Sequence, residues 1–282
     1  LALSLLPFCA FADTARIEPG HSAAWIDPAR GGEGWVVEVM PDDTAALYWF
    51  TSDDAGNPRW LISHAPIIHG EDGDKVVYSV LLAGHGGRFG PNYSTDDVIL
   101  ENVGTAELSF SDCDNGRISF DAYGKARSYP MIRLSRTMGA GCGPLHGVPG
   151  QPVQPYAGTS RSWFDPDKAG QVFTLQWQAD GSAFLFWFTY DPAGNPFWIS
   201  GTGRQEEGRL VFGELISVRG GRFGEDYPPD QPEMLPWGRM ELELTCDSGT
   251  ALYEATAAGF GSGSFNLLPM TDLAKPACPW VK

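Results

Sequence analysis

The stretch "FWFTYDPAGNPFW" at residues 186–198 repeats "YWFTSDDAGNPRW" at residues 48–60, with nine of thirteen positions identical. Each reads as an aromatic strand, a turn and the start of a second strand. Asp at the turn start, Gly where a positive φ is needed and then Asn-Pro is ordinary hairpin chemistry. Successive side chains of a strand face opposite sides of a sheet. One face therefore carries Ala45, Leu47, Trp49 and Thr51, matched residue for residue by Ala183, Leu185, Trp187 and Thr189. The other carries Ala46, Tyr48, Phe50 and Ser52 against Phe184, Phe186, Phe188 and Tyr190. The unchanged face is assigned to a domain interior. The changed face points outward, where an apolar patch of this size marks an interface or a ligand platform. The preferred reading packs the two copies together through it; sugar or small-ligand stacking is the alternative, with Tyr48, Phe50, Phe184, Phe186, Phe188 and Tyr190 as its residues.

Working outward, an offset of 138 aligns residues 25–60 with 163–198 without a gap, and 16 of those 36 positions are identical. Trp25, Trp49 and Trp60 match Trp163, Trp187 and Trp198, and all six are expected in the structural core. "GGRFG" recurs at 86–90 and 220–224, and each copy ends in a cysteine. The cysteine count alone leaves the pairing open. Two copies with one pair each imply Cys113–Cys142 and Cys246–Cys278. The organisation is then a signal-peptide remnant at 1–12, a lead-in at 13–21, one β domain at 22–142, a Pro/Gly linker at 143–159, a second β domain at 160–278 and a tail at 279–282.

"GWVVEVM" at 34–40 and "VFTLQWQ" at 172–178 alternate with period two, as half-buried strands do. Further strands are expected near 44–52, 59–67, 75–82, 105–111, 117–123 and 129–136, separated by turn signals such as "GEDGD" and "CDNG". No stretch has a helical stripe with caps. The expected fold is all-β: two tandem antiparallel β-barrel-like domains of about seven or eight strands each, with β-sandwiches as the alternative.

A Trp on the first strand and an Arg on the last, Trp25 and Arg133, resemble the lipocalin and avidin barrels, where such a pair closes one end. The usual Gly two residues before the Trp is Ala23 here and Arg161 in the second copy, which has no Arg on its last strand. Trp25-Ile26-Asp27-Pro28, Trp163-Phe164-Asp165-Pro166 and the two aromatic hairpins also resemble a group of uncharacterised exported bacterial proteins, often tandem. That resemblance implies fold and export, not an activity.

The net charge of −16 opposes nucleic acid as a partner. "LALSLLPFCAFA" at 1–12 is uncharged and ends in an A-x-A pattern, so a periplasmic or secreted location is expected. A lipid anchor on Cys9 is the rival. No later apolar run reaches transmembrane length. Disulfides fit an exported chain.

Candidate chemistry is sparse. Arg88 and Arg222, in Gly-rich turns, could clamp an anion, or pin their loops to a nearby carboxylate. Asp27 and Asp165 are read as turn residues rather than an acid–base pair. "DDAGNP" lacks the ligands of a calcium loop, and "EDGD" and "STDD" are better but unrepeated. His64 and His69 would face opposite sides of a regular strand, which argues against a zinc pair. No hydrolase, metalloprotease or nucleotide motif occurs. No cofactor and no metal is expected. The reading is an exported, non-catalytic protein that binds a glycan, a small apolar ligand or a protein partner through aromatic β surface. An extracellular polymer hydrolase using Asp and Glu, or a structural envelope protein, are the alternatives.

Overall fold

The computed structural model describes residues 15–90, 93–143, 153–228, 230–276 and 278. The expected leader at 1–12 with Cys9, most of the expected linker and the tail at 279–282 lie outside the described residues.

Sixteen strands form two closed antiparallel barrels of eight strands each, in tandem. The first contains β1 (Ala23–Ile26), β2 (Gly34–Val39), β3 (Thr44–Ser52), β4 (Pro58–Ile68), β5 (Lys75–His85), β6 (Ile99–Phe110), β7 (Asn115–Ala122) and β8 (Lys125–Arg133). The second contains β9 (Arg161–Phe164), β10 (Val172–Trp177), β11 (Ser182–Tyr190), β12 (Pro196–Glu206), β13 (Arg209–Arg219), β14 (Glu233–Leu244), β15 (Gly249–Ala255) and β16 (Ser262–Pro269). Every strand pairs with its sequence neighbour, and β8 and β16 return to β1 and β9. Closure leaves no sheet edge, so the sandwich alternative is excluded.

Eight strands enclose a space that side chains can fill, and here they do. Trp25, Trp35, Trp49, Phe110, Phe120 and Tyr129 fill the first barrel; Trp163, Phe173, Trp187, Trp237, Tyr253 and Phe265 fill the second. The face Ala45, Leu47, Trp49 points inward, as its identity in the two copies requires. In each barrel the register shifts beside a glycine, Gly104 in β6 and Gly238 in β14. A Cβ on Gly104 would lie 2.1 Å from the Asp121 carbonyl, and one on Gly238 2.3 Å from that of Glu254. The sheet can turn there only if the backbones approach this closely.

One end of each barrel is sealed in the same manner. Trp25 Nε1 donates to the His21 carbonyl and Trp163 Nε1 to that of Thr159, each at 3.1 Å. In the first barrel Arg133 of β8 donates to the Gly20 carbonyl at 2.9 Å. The second copy lacks that arginine, and Arg161 of β9 takes the role, donating to Gly158 at 2.9 Å. Cys113–Cys142 and Cys246–Cys278 are bonded, with Cα separations of 5.9 and 5.8 Å. Their sulfurs lie against Gly20 and Gly158, so each bridge ties down its sealed end.

The barrels join through an apolar seam. All of β2 and β10 is buried, as is β3 beyond Thr44, because the outward faces meet the other barrel. Tyr48 stacks on Phe188 at 5.6 Å and Phe50 on Phe186 at 4.7 Å, a reciprocal pair of contacts. Trp60 Nε1 donates to the Thr189 carbonyl at 2.7 Å and Trp198 Nε1 to the Thr51 carbonyl at 2.8 Å. Gly86 N donates to Gly194 O and Gly220 N to Gly56 O, both at 2.8 Å. Such reciprocity is what an approximate two-fold relation demands.

The "GGRFG" loops are exchanged. Phe223, from the second copy, enters the first barrel, with its ring 5.1 Å from both Trp49 and Phe120. Phe89, from the first copy, enters the second barrel, 5.3 Å from Trp187 and 4.9 Å from Phe260. Each barrel is thus stoppered by the other.

Candidate functional site: clefts along the seam

With the interiors packed and the mouths stoppered, the concave surface lies outside the barrels. A cleft of about 630 Å³ runs along the seam, walled by Phe50, Phe184, Phe186 and Trp198 and floored by Asp27, Arg30 and Glu33. The floor comes from the turn after β1. Asp27 accepts the Ala29 amide through Oδ1 at 3.0 Å, and its carbonyl accepts the Arg30 amide, which brings Arg30 and Glu33 back under β3. This is the turn role expected of Asp27.

Arg30 is buried and every side of it is engaged. Its Nε donates to Glu33, Nη1 to the Glu225 carbonyl at 2.7 Å and Nη2 to the Arg222 carbonyl at 3.0 Å. The guanidinium lies between the rings of Tyr129 and Tyr227, at 4.3 and 4.8 Å. A planar cation suits such stacking, and here it clasps the loop that carries Phe223. Glu33 also accepts Trp49 Nε1 at 3.1 Å and Thr51 Oγ1 at 2.8 Å. Burial pushes its carboxyl upward in pKa, against the pull of Arg30.

A second cleft, of about 380 Å³, occupies the two-fold-related place. Trp60, Phe188 and Met270 stand where the first cleft has Trp198, Phe50 and Leu134. Gln171 replaces Glu33 and accepts the Thr189 hydroxyl. No charged side chain lines this second cleft. Exposed hydrophobic side chains rim both: Leu134 (44%) and Met234 (70%) on the larger, Leu100 and Met270 (47% each) on the smaller. Apolar surface is thus left open at matching places on the two clefts.

Of the six outward aromatics, Tyr48, Phe50, Phe186, Phe188 and Tyr190 are buried in the seam. They form no open platform; Phe50, Phe186 and half-buried Phe184 present parts of their rings to the larger cleft. Trp60 and Trp198 are also buried in the seam rather than inside a barrel. Arg88 is exposed and has no hydrogen-bond or ion-pair partner among the described residues. Arg222 is half exposed and sits 3.8 Å from Glu225. The informative residue of each "GGRFG" loop is the phenylalanine after the arginine, and the recurrence of the motif was the available signal. His69 stands between Asp43 (2.7 Å) and Asp74 (3.0 Å), whose carboxylates raise its pKa. Asp74 of "EDGD" is spent on Arg16, the Ile17 amide and His69. Among the described residues no group of three His, Cys, Asp or Glu could hold a metal ion, and no helix is long and apolar enough to cross a membrane.

The chain matches no protein-family model and no curated protein.

Proposed function

We propose that the protein is an exported, non-catalytic binding protein whose site is the larger seam cleft, and that its ligand is a small molecule with an apolar body. The observation that carries this reading is the cleft itself. About 630 Å³ of space has aromatic walls, a few fixed polar groups and a rim of exposed Leu134 and Met234. Small-molecule sites have this size and this mixture of surface. Two disulfides are compatible with the oxidising surroundings of an exported chain. A ligand inside a barrel is disfavoured, since stoppers and tryptophans occupy the space.

Thr202 is exposed at the cleft wall, so Thr202→Trp fills the cleft without touching either core. In a thermal-shift screen of glycans and amphiphiles, compounds that stabilise the wild type are expected to lose their effect on T202W. Hits that survive the substitution, or none at all, would remove the cleft as the site.

One observation favours the hydrolase reading: Asp27 and Glu33 share a cleft with aromatics. Against it, Glu33 is 2% exposed and already accepts from Arg30, Trp49 and Thr51, which fix it as a structural carboxylate. Turnover of chromogenic glycosides by the wild type would reverse that order.

A further inference from the structure

The two clefts occupy equivalent positions but differ in charge, and the difference centres on Asp27. In the second copy the equivalent Asp165 is fully used: Oδ1 accepts the Asp167 amide at 3.0 Å and Oδ2 the Asn266 amide at 3.0 Å. In the first copy Oδ1 of Asp27 makes the matching turn contact. The place of Asn266 is taken by Pro130. Ile26 pairs with Ile132 and Phe164 with Leu268, so Pro130 and Asn266 sit at the same register. Proline has no amide hydrogen to give.

Lysine 168, Lys168, stands near Asp165 at 3.9 Å, whereas its counterpart Arg30 is committed to Glu33 and the stopper loop. Asp27 Oδ2 is therefore left without a donor among the described residues, on a residue only 7% exposed that lines the larger cleft. That oxygen is open to the cleft, so a donor entering there can reach it and make a charge-assisted contact. The balance around it is also negative: Asp27, Glu33 and Glu214 line the cleft against one cation, Arg30. Phe50, Phe186 and Trp198 line the same cleft, and aromatic walls favour a cation further.

We infer that the larger cleft selects an organic ammonium ion: a cationic amine head on Asp27, and an apolar body along the aromatic wall. This rests on the cleft being the binding site and adds the chemical class of the ligand. The uncharged smaller cleft has no such preference.

The test is calorimetric titration with n-octylamine, charged at neutral pH, beside n-octanol of the same length. The wild type should bind the amine about 10- to 100-fold more tightly than the alcohol, the range for a charge-assisted contact. Asp27→Asn keeps an oxygen for the Ala29 amide and should reduce amine affinity by a similar factor while leaving alcohol affinity unchanged. Equal binding of amine and alcohol by the wild type would overturn the selectivity and leave the cleft standing as an apolar site. Binding of neither would remove both readings. The amine–alcohol comparison uses wild-type protein, so it decides the matter even if D27N folds poorly.

Discussion

Phe223→Ala is expected to destabilise the protein by about 3–5 kcal/mol, the usual cost of truncating a buried phenylalanine. The core that suffers is that of the other barrel. Phe223 is 1% exposed and packs on Trp49, Phe120 and Tyr123 of the first barrel, although it follows β13 of the second. The cavity left behind opens at the barrel mouth, so water can enter and the surrounding rings cannot close over it. Arg30 would also lose part of its purpose, because the loop carbonyls it holds would no longer be anchored by the ring. Urea unfolding followed by tryptophan fluorescence measures the loss. Phe89→Ala should behave alike in the second barrel, and Phe223→Leu should cost less because most of the volume remains. A loss below about 1 kcal/mol for F223A would mean that the loop merely rests on the barrel.

Stability is also expected to fall as the pH rises towards about 7, through one buried carboxyl, Glu38. Glu38 is 1% exposed at the seam, where it accepts Ser162 Oγ at 2.9 Å and Thr271 Oγ1 at 2.8 Å. Tyr48 lies beside it, and Arg161, itself paired with Asp272, is the nearby cation. Burial dominates and lifts its pKa from 4.5 to about 7. The folded state therefore holds this proton more tightly than the unfolded chain. The stabilisation is complete below about pH 4.5 and is lost as the pH rises to about 7, a span worth about 3 kcal/mol. The two-fold-related residue is Gln176, which accepts Ser135 Oγ at 2.6 Å and cannot titrate. Glu38→Gln copies that arrangement, so the mutant should be the more stable protein at pH 8 and should lack this slope. His21, His69 and Glu33 also change with pH, and subtracting the two profiles removes them. Parallel profiles for wild type and E38Q between pH 4.5 and 8 would show that Glu38 is not the group responsible.

Much of the architecture was legible in the chain. Most strand positions followed from period two and turn residues, although β6 begins at Ile99 and β8 at Lys125, ahead of the expected 105 and 129; comparing the copies separated the inward Trp49 face from the outward Tyr48–Phe50 face. The disulfides followed from the repeat. The exchange of Phe89 and Phe223 was not legible, because a loop's sequence does not say which barrel its side chain will enter. Arg161 replacing the missing closing arginine was hidden for a related reason: a guanidinium can reach one carbonyl from either of two adjacent strands. The isolation of Asp27 depends on Pro130, about a hundred residues away, through a register known only once β8 has closed on β1. Asp27 was correctly a turn residue by local rules; its second oxygen belongs to tertiary structure.

The cleft exists only while the two barrels stay locked together. Each barrel completes the other's core through Phe89 and Phe223, and the seam buries the outward aromatics of both. Scanning calorimetry of the intact chain tests this directly. The expected result is one transition, with the calorimetric enthalpy equal to the van't Hoff enthalpy. Two separate transitions, one per barrel, would contradict it.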